Sequence, residues 1–237
     1  MVYNYKTMVK FKIDQQIDFN TAVFFLGKKK HGVTCGRDAC VWAYHPPLRD
    51  LTKENLQEIY NYVNKYYKEN ISMLKKVQSK FQRQWEKVEN LFIKETVKLF
   101  DGFRFPDGKY IGYISIFNCN PRSLKDKTFQ VFYEEESCVR LTSHELMHFI
   151  FYSYTKSKLT DLVKGLDTNK GLWWDVAEVF NNVILSLDKF KKVLQTDGDK
   201  RYPAHRRYMS KADELYKDSK NIEDYIKKLF QLIKSKE

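Results

Sequence analysis

The residues with the clearest chemical potential are Ser143-His144-Glu145-Leu146-Met147-His148. They fit the pattern H-E-x-x-H on a helix. Side chains four apart share one helical face, with Cβ atoms about 5–6 Å apart. Two imidazoles so placed can reach a single Zn²⁺ at about 2.0–2.1 Å. Glu145 lies beside that face, where it would touch a metal-bound water rather than the metal. Val139, Leu141, Leu146, Phe149 and Ile150 give the helix an apolar body, and a rigid helix holds ligands in place. The bland reading is two ordinary helix histidines paired with local carboxylates.

A catalytic zinc takes three protein ligands and keeps one position for water. The extended pattern H-E-x-x-H-x-x-G-x-x-H fails, because Phe151 and Tyr154 stand where Gly and His are needed. A downstream carboxylate is the remaining common choice. The segment 173–185 is apolar nearly all round, and Asp175, Glu178 and Asn182 recur on it at i, i+3 and i+7, one polar stripe of a helix. A carboxylate buried there without a partner is expensive, and a metal is such a partner. Glu178 is the first choice for third ligand and Asp175 the alternative; a carboxylate that is exposed or paired with lysine is the bland one. Asn182 and Asp175 suit hydrogen bonds that hold the ligands in place.

This arrangement resembles the gluzincins, zinc metallopeptidases of thermolysin-like and minigluzincin-like type, with H-E-x-x-H on one helix and a glutamate on a second. The match rests on His144, Glu145, His148 and Glu178, with Asn182 where such families often carry an acidic residue, and covers roughly residues 110–185. The resemblance implies one catalytic Zn²⁺ on His144, His148 and Glu178, with Glu145 as general base. It implies a donor to the tetrahedral oxyanion from the region after the glutamate helix. His205 comes first there, then Tyr202 and Tyr208. It also implies an edge strand that pairs with extended substrate, placing Phe117, Asn118 and Cys119 in substrate binding. Two departures stand out. The thermolysin-type signature Asn-Glu-x-x-Ser-Asp is absent, since Ala177 precedes Glu178, and residues 1–100 carry no similarity.

The rest of the chain must position these residues. Val9–Ile13 reads as a strand and 18–30 as a helix begun by Asp18 or Asn20. A Gly/Cys/Pro-rich loop follows to Pro47. Apolar residues at helical spacing from Leu56 to Phe92 predict one very long helix or, as the preferred reading, two broken near Asn70–Ser72, the first capped by Asp50 or Thr52. Tyr110–Phe117 and Thr128–Tyr133 read as strands joined in an antiparallel hairpin. Helices are expected over 137–157 and 172–190, then a break at Gly198–Pro203 and one or two amphipathic helices. The fold class is α+β with helix dominant. It is expected as a zincin-like core whose small, antiparallel-containing sheet packs on the active-site helix and the glutamate helix. The chain reads as one domain, 1–237, with an N-terminal helical part (1–100) and a catalytic core (101–237).

His31, Cys35, Cys40 and His45 have metal-ligand chemistry, but their spacing matches no familiar finger. Ordinary loop histidines and free thiols are the simpler reading of these residues and of Cys119 and Cys138, the even count of four cysteines also permits two disulfides, and Cys35 as a latency switch over the zinc is a remote one. No apolar run approaches the ~18–20 residues that span a bilayer, and Met1–Lys12 has no signal-peptide pattern. These features point to the cytoplasm. The chain carries 42 Lys and Arg against 30 Asp and Glu, a net charge of +12. The charges interleave, and lysine far outnumbers arginine, which suits a solvated surface better than phosphate or base recognition. The expected function is therefore a zinc metallopeptidase acting on a peptide or protein, without membrane or nucleic acid. The alternatives are a catalytically silent zincin scaffold that binds peptide, and a basic nucleic-acid-binding helical protein.

Overall fold

In the computed structural model, residues 8–27, 38–194 and 205–235 are described. The fold is α+β and helix-dominant, with one four-stranded sheet among the described residues. Two compact units interleave along the chain: 1–86 with 108–138, and 87–107 with 139–237. The division therefore does not fall at residue 100.

The first unit holds the sheet. Its strands are β1 (Val9–Ile13), β2 (Tyr110–Ser115), β3 (Arg122–Ser123) and β4 (Thr128–Phe132), in the order β1-β2-β4-β3. β1 and β4 both run parallel to β2, and only β3–β4 is antiparallel. The expected β2–β4 hairpin is thus a parallel pair. Its connection, residues 116–127, is about the dozen residues such a crossover needs. All but the first residue of β4 are buried, as suits a strand inside a sheet with both faces covered. Gly112 lies between its register partners Phe11 and Phe129, whose rings meet edge-on at 6.4 Å.

Helix α1 (Gln15–Phe25) starts earlier than expected, because Asp14 rather than Asp18 accepts the Gln16 N–H. Asp18 is instead buried. A short α2 (Ala39–Trp42) precedes one long helix, α3 (Leu56–Glu86). The break expected at Asn70–Ser72 is absent. Asn70 donates to its own helix's Tyr66 carbonyl at 2.9 Å, and the buried stripe runs on through Tyr67, Leu74, Phe81 and Trp85. The same helix closes the outer edge of β1. Gln82 accepts from the Phe11 N–H at 3.0 Å, and Gln78 donates to the Phe11 carbonyl at 2.8 Å.

The expected free thiols are overturned for two of the four cysteines, since Cys40 and Cys119 form a disulfide. Cys138 is a buried thiol outside any disulfide, and it donates to the Phe81 carbonyl at 3.2 Å. His31 and Cys35 lie outside the described residues. A metal on the His31–His45 run loses Cys40 to the disulfide, and His45 is bound elsewhere. Its Nε2 donates to the Ile116 carbonyl at 2.7 Å, so its Nδ1 accepts from the Tyr62 hydroxyl at 2.8 Å.

The second unit is helical among its described residues: α4 (Glu89–Leu99), α5 (Val139–Lys158), α6 (Thr160–Val163), α7 (Leu172–Leu185), α8 (Asp188–Leu194), α9 (Arg206–Lys217) and α10 (Ile222–Lys234). The helix expected over 172–190 is two, separated at Ser186–Leu187. α7 is the hub. Residues Val176 to Leu185 are all buried, and α5, α9 and α10 each pack on it. Phe180 meets Phe151 at 4.8 Å and Tyr225 at 5.9 Å between ring centroids. The apolar runs on α5 and α7 thus serve a core that surrounds both helices.

Candidate metal centre

Helix α5 is buried without interruption from Leu141 to Tyr152, and it carries His144 and His148 one turn apart toward α7. The His144 and His148 Nε2 atoms lie 3.0 Å apart. Glu178 on α7 completes the triangle, with Oε2 at 3.3 Å from His144 Nε2 and Oε1 at 3.2 Å from His148 Nε2. Ligands at about 2.05 Å from a tetrahedral ion stand roughly 3.3 Å from one another. The imidazole nitrogens stand near that spacing, and each faces its own oxygen of the one carboxylate at a similar distance. Among the described residues, these three form the one group of His, Cys, Asp or Glu whose donor atoms converge within 4.8 Å. The group can hold a metal ion.

Electrostatics point the same way. His144, His148 and Glu178 are 6%, 0% and 2% exposed. Burial pushes the Glu178 carboxyl up, but the charges and hydrogen bonds of His148 and His144 outweigh it and hold the group well below the usual glutamate range. A buried carboxylate facing two imidazole nitrogens calls for a cation at their centre, either a proton or a metal.

Neighbouring side chains fix the ligands. Tyr152 stacks on the His148 ring with centroids 5.7 Å apart and planes 15° apart, and its hydroxyl donates to the Thr168 carbonyl at 2.9 Å. Asn181 Nδ2 donates to the His144 carbonyl at 3.1 Å. Glu145 is buried beside His144 at 4% exposure.

The three converging side chains are those expected from the sequence, but the asparagine expected to hold a histidine does not. Asn182 donates to the carbonyl of Glu178 on its own helix, at 2.8 Å, and it holds no histidine through that amide. Asn181 bridges α7 to α5 instead. The signal for it was the adjacent amide at i+3 from Glu178. Asp175 pairs with His205, whose Nε2 lies 2.7 Å from Asp175 Oδ1. That pair is one helical turn from Glu178, and the Trp174 ring flanks His205 at 5.3 Å. Tyr208 is buried, with its hydroxyl accepting from Arg207 at 2.6 Å. Tyr202 lies outside the described residues.

The expected substrate strand is corrected by the sheet order. β2 is interior, and the residues after it are committed to their own unit. The Phe117 N–H goes to Ser115 Oγ at 3.0 Å and the Asn118 N–H to the Cys40 carbonyl at 3.1 Å. Phe117 is buried and Cys119 is bound in the disulfide. These backbone donors are not free to pair with a peptide.

No family model, no curated protein and no solved structure matches this chain.

Proposed function

We propose that this chain is a zinc-dependent metallopeptidase of the gluzincin kind. The observation that carries the reading is the triangle of His144 Nε2, His148 Nε2 and the Glu178 carboxylate, with edges of 3.0, 3.3 and 3.2 Å. The donor set, two imidazoles and one carboxylate, is a zinc pattern. When bound, the ion supplies Lewis acidity to water and to a peptide carbonyl. The protein supplies the rest. Glu145 takes a proton from the attacking water and returns it to the leaving amine. His205 serves as oxyanion donor under a chemical constraint. Its Nε2 is engaged by Asp175, so donation falls to Nδ1 and requires the imidazolium.

The test is metal content and turnover measured together. The wild type is expected to hold about one zinc per chain and to cleave members of a peptide library. His148→Ala and Glu178→Ala should lose the metal. Glu145→Gln should keep it and lose at least ~100-fold in turnover. Full hydrolysis by Glu145→Gln refutes that residue as base.

One observation favours a second reading. The ligands are nearly sealed, at 0–6% exposure, and structural zinc sites are closed whereas catalytic ones stay open. A metal that staples α5 to α7 in a non-catalytic scaffold would lower the melting temperature on chelation with no turnover to lose.

A further inference from the structure

We infer that Asn181 is the residue that sets the spacing between the two metal-bearing helices. This rests on the metal reading above. The Asn181 amide donates to the His144 carbonyl at 3.1 Å, and both residues are buried. By the helical pattern that carbonyl also serves the N–H of residue 148, closing the very turn that carries both histidines. Asn181 stands three residues beyond Glu178, about 4.5 Å along α7. One hydrogen bond therefore links the turn bearing the imidazoles to the turn bearing the carboxylate.

Apart from the facing ligand atoms themselves, a second directional bond joins these helices, Trp173 Nε1 to Thr155 Oγ1 at 3.2 Å, but it lies seven residues beyond His148 and five before Glu178, away from the ligand turns. Phe151 and Phe180 meet as tilted rings at 4.8 Å. Such apolar contacts are non-directional and tolerate sliding. A metal site tolerates ligand distances only within about 0.2 Å. The directional bond from Asn181 supplies the register that apolar packing leaves loose. Asn181 is therefore a positioning residue, which touches a ligand's backbone and not the ion. Among the described residues the Asn181 side-chain oxygen has no hydrogen-bond partner, so the amide's contribution there is its donor. That makes the donor the atom to remove.

The experiment titrates Co²⁺ and Zn²⁺ into metal-free wild type, Asn181→Leu, Asn181→Asp and the control Asn182→Ala, against a competing chelator. Co²⁺ absorption bands report ligand geometry, and thermal melts of the metal-free proteins report folding. Asn181→Leu is expected to bind about 10–100-fold more weakly and to shift the Co²⁺ bands. Asn181→Asp keeps the size and removes the donor; it should do the same, and it stands in if the leucine variant does not fold. Asn182→Ala removes a bond to the Glu178 carbonyl that stays within α7; an effect as large as in the Asn181 variants overturns the assignment to the bond between the helices. Wild-type affinity and bands in both Asn181 variants overturn the proposal while the metal site stands. So does a lowered melting temperature without a change in the bands. A wild type that takes up neither metal overturns this inference and the metal reading together.

Discussion

At the scale of single residues, two buried titratable groups hold the exit of β2 from opposite sides of Ile116. Asp18 accepts the Ile116 N–H at 2.9 Å, the Tyr67 hydroxyl at 2.6 Å and the Ser115 hydroxyl at 2.5 Å. His45 holds the Ile116 carbonyl. Burial raises the Asp18 carboxyl from 3.8 to about 6, against these hydrogen bonds. The folded state therefore binds the proton more tightly than the unfolded one. The stability this gives is complete below about 3.8 and fades as pH rises through about 6, a span worth roughly 3 kcal/mol. His45 is shifted the other way, lowered from 6.5 chiefly by burial, so its contribution fades as pH falls below 6.5. Urea unfolding of wild type and Asp18→Asn at pH 4 and pH 7 separates the two. The margin of wild type over the variant should shrink with rising pH; a constant margin overturns the assignment to Asp18.

At the scale of elements, the sheet depends on one glycine. A Cβ at Gly112 would stand 2.6 Å from Phe11 Cε1 and 3.1 Å from Phe129 Cε2. Both rings are buried and cannot swing away as a flexible chain end could. Gly112→Ala should cost about 1–3 kcal/mol, in the range of overpacked cores, read as a lowered urea midpoint with unchanged m-value. Sequence periodicity located α5, α7 and most other described elements, because burial on a helix face or strand face imposes a period. It missed the parallel pairing of β2 with β4. Strand pattern reports burial and not direction, and residues 116–127 are long enough for either connection. It also misplaced the break in the long helix, where Asn70 bonds within the helix instead of ending it.

At the scale of the whole molecule, the disulfide and the proposed metal site each carry a test on global stability. Cys40–Cys119 closes a loop with a sequence separation of 79, worth about 4–5 kcal/mol by the chain-entropy argument. Reduction or Cys40→Ser should lower the urea midpoint, and a reductant should then have no further effect on the variant. Zinc at about 1,000 times its dissociation constant should raise stability by roughly 4 kcal/mol, a gain lost in Glu178→Ala. The net charge of +12 carries its own test. Nucleic-acid binding would fall steeply with salt, and no retention of duplex DNA at low salt sets that reading aside. None of the described helices is long and apolar enough to cross a membrane.

The sequence by itself located the His144–His148 pair on one helical face, the glutamate that meets it and the helix-dominant α+β class. Each follows from local spacing: four residues bring two imidazoles to one face, and an acidic group on an apolar helix requires a partner. Only the tertiary structure decided which asparagine bridges the ligand helices, that Asp175 belongs to His205, and that Cys40 meets Cys119. Those pairings join residues 30 to 79 apart in sequence. No periodicity encodes such distances; they are set by how helices and strands pack.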